Sequence, residues 1–280
     1  MISVISAERE DDEVRQDAEP ATPDDTRRAL LVRNRRTHTP IANGFVQNPD
    51  RSAPSREGPL ATFVRNGDLR GLHAYLLVSA VTSSDARGEG WSTTLPLPVW
   101  ARAFGTTSDA EPKSATTAAS KILRRLEGRQ LVERHRSGRP RNVRVTLLSA
   151  DGSGKPYTRP NSHFFKLHND YWLAGWHQRL DLPATAMLLV LLHEQSGCEI
   201  PTERMRKWYG FSPDTAERGV RTLRENGLLA VQQRFKTAPL APAGITRVNQ
   251  YFLLPPFGKA PEWLAHEQGV EPTHVKDPAK

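Results

Sequence analysis

"SPDTAERGVRTLRENGLLAV", residues 212–231, is the stretch on which the reading of the fold turns. Ser212 stands where a helix N-cap belongs, and Pro213 suits the first helical position, where its missing N–H is not needed. Ala216, Val220 and Leu223 recur at helical spacing and predict an inward face, while Gly219 leaves room for a neighbouring helix. Gly227 follows where a left-handed residue ends a helix. Beyond it, "LLAVQQRFK" and "TRVNQYFLL" read as strands around the stiff turn "TAPLAPAG", so the stretch predicts a helix feeding a hairpin.

The same plan occurs upstream. Shifting the chain against itself by 97 positions lays residues 116–133, "TTAASKILRRLEGRQLVE", over residues 213–230. Ala119 then meets Ala216, Arg124 meets Arg221, Leu126 meets Leu223 and Leu131 meets Leu228, while Lys121 meets Arg218 and Leu123 meets Val220. Identity is low but register is kept, which is the signature of an internal repeat.

Composition bounds what this repeat belongs to. A chain of 280 residues is long enough for two domains of ordinary size. Its formal charge of +8 is unevenly spread, because residues 1–25 hold nine carboxylates against Arg9 and Arg15, leaving a more basic remainder. Such a surplus favours polyanionic partners, nucleic acid before membrane. Cys198 is the one cysteine, which excludes an intramolecular disulfide and a Cys-rich metal knuckle. The acidic start is not that of a secretory signal, and the longest apolar run, "AMLLVLL" at 186–192, is far too short to cross a bilayer. The expectation is a cytoplasmic, nucleoid-associated protein with no membrane partner.

Residues 1–60 are polar, with few large apolar groups, and read as a disordered tail, acidic and then basic. Within it, Arg27, Arg28, Arg33, Arg35 and Arg36 form either a solvated charge run or a basic arm that follows a phosphate backbone. Residues 66–149 read as a first domain. Leu69, Leu72, Leu76 and Ala80 mark one helix, "STTLPLPVWARAFG" an extended piece and a second helix, and Ala119, Ile122, Leu123 and Leu126 a third, ahead of a hairpin over 131–148. Residues 150–161 are small and polar and read as a linker. Residues 162–256 repeat the order, with "LPATAMLLVLLHEQ" and "PTERMRKWYG" before the stretch quoted above, and 257–280 read as a C-terminal tail.

Three helices and a hairpin, twice over, resemble tandem winged helix-turn-helix proteins. The resemblance implies a mostly α protein with small β-hairpins, an α+β arrangement of two such domains behind the tail. It also implies double-stranded DNA as partner, a homodimer as a further assembly, and one of two roles: a bacterial transcriptional regulator, or a plasmid replication initiator on repeated origin sites. A protein-interaction adaptor that never touches DNA is the third reading.

If the apolar positions of the first repeat are buried, Thr116, Thr117, Ser120, Lys121 and Arg124 face outward, the groups that donate to phosphates and read base edges. The hairpin adds Arg134, Arg136, Arg139, Arg141 and Arg144, with Glu133 as its one acid. The bland alternative is an edge hairpin kept soluble by charge. In the second repeat Thr215, Arg218, Arg221 and Thr222 are the outward candidates, with Arg234, Lys236 and Arg247 on the strands, but Asp214 and Glu217 stand among them and repel phosphate. No Ser, His and Asp arrangement at a family spacing, no metal motif and no P-loop is present, since Pro156 follows "GSGK" where a hydroxyl residue is needed. The chain is therefore read as a binding protein, not an enzyme, without cofactor or metal.

Overall fold

A computed structural model describes residues 19–84, 90–108, 110–137 and 142–267. In chain order the elements are α1 (Pro23–Arg33), β1 (His38–Ala42), α2 (Leu60–Arg65), α3 (Leu69–Val81), β2 (Ser83–Ser84), β3 (Trp91–Pro96), α4 (Leu97–Ala103), α5 (Pro112–Gly128), β4 (Val132–Ser137) and β5 (Asn142–Leu147). They continue as β6 (Phe164–His168), α6 (Asp170–Leu173), α7 (Trp176–Arg179), α8 (Leu182–Glu194), α9 (Met205–Tyr209), α10 (Pro213–Glu225), β7 (Leu229–Thr237), β8 (Ile245–Leu253) and α11 (Glu262–Glu267).

Among the described residues the strands form three antiparallel sheets: β1 with β6, β2-β3-β5-β4, and β7 with β8. About 43% of the described residues are helical and 22% strand, a mixed α+β fold. That content corrects the expectation of a mostly α chain of two tandem winged helix-turn-helix domains behind a disordered tail. The helical periodicity was visible, whereas the strand pairs that join distant segments carry no local signal.

The largest departure is at the N-terminus. Residues 1–18 lie outside the described residues, but the rest of the supposed tail is built into the fold. Thr22 and Asp25 make a reciprocal capping box, with Asp25 N donating to Thr22 Oγ1 at 3.1 Å and Thr22 N donating to Asp25 Oδ2 at 3.0 Å. β1 pairs with β6 from His38↔His168 to Ala42↔Phe164, stitching residues 38–42 to the second half of the chain. Leu31, Ile41, Phe45, Val46, Leu60 and Phe63 belong to one connected apolar cluster that continues through Trp100, Tyr171 and Leu188 to Phe257. Few large side chains suffice here because each is fully used. The stretch 257–267, read as tail, contributes Phe257 to that core and ends in α11.

The core is organised around α8, whose residues from Pro183 to Leu191 are all buried, as expected of a helix that is apolar on every side. α10 packs across it at Gly219, where an added Cβ would lie 2.3 Å from Pro183 O and 2.7 Å from Met187 Cγ. The residue needed at this crossing is thus one without a side chain. In the first half, Ala115 and Ala119 of α5 meet Ala101 of α4, and small residues again set a close approach.

Candidate nucleic-acid interface

α5 starts at Pro112 and buries Ala115, Ala119, Ile122, Leu123 and Leu126 along one stripe. The opposite face presents Lys113, Thr117, Lys121 and Arg124 to solvent, with Thr116 and Ser120 half-buried on its flank. Thr116 Oγ1 and Thr117 Oγ1 donate to Lys113 O at 3.0 and 2.9 Å, so both hydroxyl protons are used within the helix. The free donors of this face are therefore the cations. Neither Lys121 nor Arg124 has an ion-pair partner among the described residues. Lys113, absent from the sequence-based candidates, shares the stripe because it stands four residues before Thr117 and eight before Lys121. Glu111, at the N-cap, is the exposed acid nearest the start of the helix.

The helix is held by its flanks. Arg125 and Arg129 both reach Asp68, Arg125 Nη2 donating to Oδ1 at 3.0 Å and Arg129 Nη1 standing 2.8 Å from Oδ2. On the other side Arg134 grips Glu127, through Nε at 2.9 Å and a closer Nη2 contact, and so fixes the hairpin against the helix. Arg134 is thus a structural cation, half-buried and already paired. Arg136 is exposed and lines, with Ser120, Leu123 and Arg134, a cleft of about 180 Å³ between helix and hairpin. Arg144 donates from Nε to Ser92 Oγ at 3.1 Å. Arg139 and Arg141 lie outside the described residues.

α10 repeats the geometry with different chemistry. Ser212 Oγ accepts from Thr215 N at 3.2 Å and lies 2.9 Å from Thr215 Oγ1, which commits the Thr215 hydroxyl to the cap. Arg218 and Arg221 are exposed in the positions that Lys121 and Arg124 occupy on α5. Asp214, Glu217 and Glu225 are exposed beside them, and Arg221 Nη2 is 3.9 Å from Glu217 Oε1. Lys236 Nζ donates to Glu199 Oε2 at 2.5 Å, so its charge is neutralised locally. Arg234 is exposed and donates from Nε to Gln232 Oε1 at 3.1 Å. Between α10 and its hairpin is a cavity of about 290 Å³, with Met187, Met205, Val220 and Tyr251 among the apolar lining and Glu217 and Arg224 among the charged.

The hairpin β7–β8 runs nine cross-strand pairs, from Leu229↔Leu253 to Thr237↔Ile245, and only its first part is buried. Phe235, Leu240 and Ile245 stand in solvent toward its end, Leu240 fully exposed.

The arginines of residues 27–36 divide. Arg27 is buried, its Nε donating to Ala103 O at 2.9 Å and its Nη1 to Asp24 at 2.6 Å, and burial pulls its guanidinium below the usual value. Arg36 caps the end of α3 by donating from Nη2 to the carbonyls of Thr82 and Ala80. Arg28, Arg33 and Arg35 remain exposed. A continuous basic arm is thereby excluded, since two of its cations serve the fold.

Among the described residues no helix is long and apolar enough to cross a membrane. Compared with protein-family models, with curated proteins and with solved structures, the chain shows no match to any of them.

Proposed function

We propose that the chain is a sequence-specific double-stranded DNA-binding protein acting as a transcriptional regulator at the nucleoid, with α5 as its main reading element. One observation carries this reading: two helices related by the 97-residue repeat, each running into a hairpin, place a cation pair in the same outward positions, Lys121 with Arg124 and Arg218 with Arg221. On α5 the stripe from Lys113 to Arg124 contains no carboxylate, so it attracts a phosphate backbone along its whole length. Exposed long cations on a helix also reach base edges in a major groove, where Arg or Lys bonds guanine.

Selection of genomic fragments by the full chain, followed by footprinting, tests the reading. One or two protected sites near promoters support regulation. Clustered direct repeats beside an A·T-rich segment would instead place the protein at an origin, the second reading, which the duplicated helix-hairpin unit favours. No enrichment over random fragments would leave a protein-contacting role, for which the exposed Phe235, Leu240 and Ile245 and the acids of α10 supply a surface.

A further inference from the structure

Four cations converge on a cavity of about 470 Å³ that the helix stripes do not use. Arg51 and Arg56 come from the loop between β1 and α2, and Arg204 and Lys207 from the short helical turns before α10, with Trp208, Gln47 and Glu194 completing the lining. The loop is pinned in place. Arg56 N donates to Lys207 O at 2.8 Å, Asn48 N donates to Arg56 O at 2.6 Å, and the buried Gln47 reaches Trp208 O from Nε2 at 3.5 Å.

Glu194, the carboxylate of the lining, and two acids of the neighbouring loop are hydrogen-bonded or paired, while Glu203 stands exposed beside Arg204. Glu194 Oε1 accepts from Tyr209 OH at 2.8 Å and lies 3.3 Å from His193 Nε2. Asp50 accepts from the amide and hydroxyl of Ser52 at 2.9 and 2.6 Å, and Glu57 pairs with Arg65 at 2.6 Å. Arg51, Arg204 and Lys207 have no carboxylate partner among the described residues, while the Arg56 guanidinium donates from Nε to Asn48 O at 3.2 Å and its charge also acts on Glu194 and Asp50. Like charges gathered around a concave site repel one another unless an anion enters, and a guanidinium fork matches phosphate geometry. The Arg204 guanidinium sits 5.3 Å above the Trp208 ring, so an aromatic surface adjoins the cations. The volume falls in the range of small-molecule pockets, which begins at about 300 Å³.

We propose that this cavity is a phosphate-binding site sized for a nucleotide unit, with the phosphate among Arg51, Arg56, Arg204 and Lys207 and the planar ring against Trp208. The phosphate has two sources, a free mononucleotide or one unit of a nucleic-acid strand, and the test separates them.

Titration calorimetry on the full chain with adenosine monophosphate, with adenosine as the phosphate-free control, gives the first arm, and thermal denaturation against chloride at equal ionic strength supports it. The expected result is binding of the monophosphate, no binding of adenosine, and a loss of about tenfold or more in Arg204→Ala/Lys207→Ala, equivalent to one charge-assisted contact. Lys121→Ala/Arg124→Ala leaves this binding unchanged. In the second arm a short duplex replaces the nucleotide. Weaker duplex binding in Arg204→Ala/Lys207→Ala, with no binding of the monophosphate, assigns the site to a nucleic-acid phosphate. The proposal is overturned if the monophosphate behaves like chloride and the duplex affinity is the same in wild type and variant. Monophosphate binding by a chain that ignores duplex DNA would keep the pocket and remove the DNA reading.

Discussion

Gln130 and Gly227 stand 97 positions apart and adopt the same left-handed backbone, with φ of 57° and 69°. Each follows the last turn of its helix, and the hydrogen bonds match: Leu131 N donates to Leu126 O at 3.1 Å, and Leu228 N to Leu223 O at 2.9 Å. The next pair of bonds matches as well, Leu148 N reaching Leu131 O at 3.0 Å and Leu254 N reaching Leu228 O at 2.9 Å. The repeat is therefore a repeated backbone device that turns a helix into a hairpin, and the direction of each cationic helix relative to its hairpin depends on it.

The two turns are filled by unequal residues, and this predicts unequal responses. Nothing lies within 4 Å of a Cβ placed on Gly227, so Gly227→Ala isolates the cost of the left-handed conformation, about 1 kcal/mol. Gln130→Gly relieves that same cost and is expected to be neutral or stabilising by up to about 1 kcal/mol. Urea unfolding of both variants checks this. A destabilising Gln130→Gly would mean that the side chain, which lies against Gly154, contributes more than the backbone strain it carries.

Asp68 predicts a larger loss. Its carboxylate caps α3 by accepting from Gly71 N at 3.0 Å and joins that cap to Arg125 and Arg129 of α5. Burial pushes the Asp68 carboxyl up, but the Arg125 hydrogen bond, the Gly71 amide and the two arginine charges outweigh it and hold the group below its usual value. Asp68→Ala removes the cap and leaves Arg129, which also lies 4.1 Å over the Phe63 ring, poorly exposed and unpaired. The expected loss is about 3 kcal/mol in unfolding free energy. Asp68→Asn keeps an acceptor for Gly71 and loses less.

Acid sensitivity follows from the aromatic cluster under α3. Tyr171 OH lies 3.0 Å from His73 Nε2 and 3.2 Å from Thr185 Oγ1, and His177 Nδ1 lies 3.2 Å from Tyr171 O. Burial, then the neighbouring His177 and Arg27, takes His73 down to about 3, and burial followed by Arg27 takes His177 to about 4, against a weaker pull from Asp24. Both rings are neutral in the folded chain, whereas the unfolded chain protonates near pH 6.5. Unfolding then takes up protons, so stability falls as pH drops below about 6.5, by up to about 1.4 kcal/mol per pH unit for each ring. The melting temperature is expected to fall between pH 6.5 and 5, above the range in which most carboxylates titrate. His73→Gln/His177→Gln should flatten that segment of the profile, and a flat wild-type profile would show that protons reach the cluster in the folded state.

What the sequence made legible was local. The stripes Ala119–Ile122–Leu126 and Ala216–Leu223, the cap at Ser212 and the turn at Gly227 are each set by residues within a few positions, and all are in place. The pairing of His38–Ala42 with Phe164–His168 spans more than a hundred residues and has no local mark, so the segment around it reads as tail. Two of the candidate site cations are already paired, for a related reason. Arg134 and Lys236 look free along the chain, and only the fold brings Glu127 and Glu199 to them. The convergence of Arg51, Arg56, Arg204 and Lys207 is likewise invisible until β1, the loop after it and α9 are brought together.

The two helices predict different responses to charge removal. On α5, Lys121→Ala/Arg124→Ala removes two cations from a stripe without acids, and the slope of log K against log salt falls by about 0.9 for every phosphate no longer neutralised. If those residues also read bases, the loss on the selected site exceeds the loss on random duplex by about 1–3 kcal/mol per base pair read. On α10 the informative change is the reverse one. Asp214→Asn/Glu217→Gln leaves Arg218 and Arg221 in place and removes two negative charges from the same face. If this helix lies against a duplex, affinity rises by about 1 kcal/mol, roughly fivefold at low salt, because like-charge repulsion at about 4 Å is of that size in water. If affinity stays the same while Lys121→Ala/Arg124→Ala weakens it, DNA contact belongs to the first repeat alone, and the carboxylates of α10 face a protein partner. Electrophoretic titration of the four chains, wild type and the variants Lys121→Ala/Arg124→Ala, Asp214→Asn/Glu217→Gln and Arg218→Ala/Arg221→Ala, at two salt concentrations separates these outcomes. A loss in Arg218→Ala/Arg221→Ala without a gain in the carboxylate variant would mean that the arginines touch phosphate from a position the acids do not share.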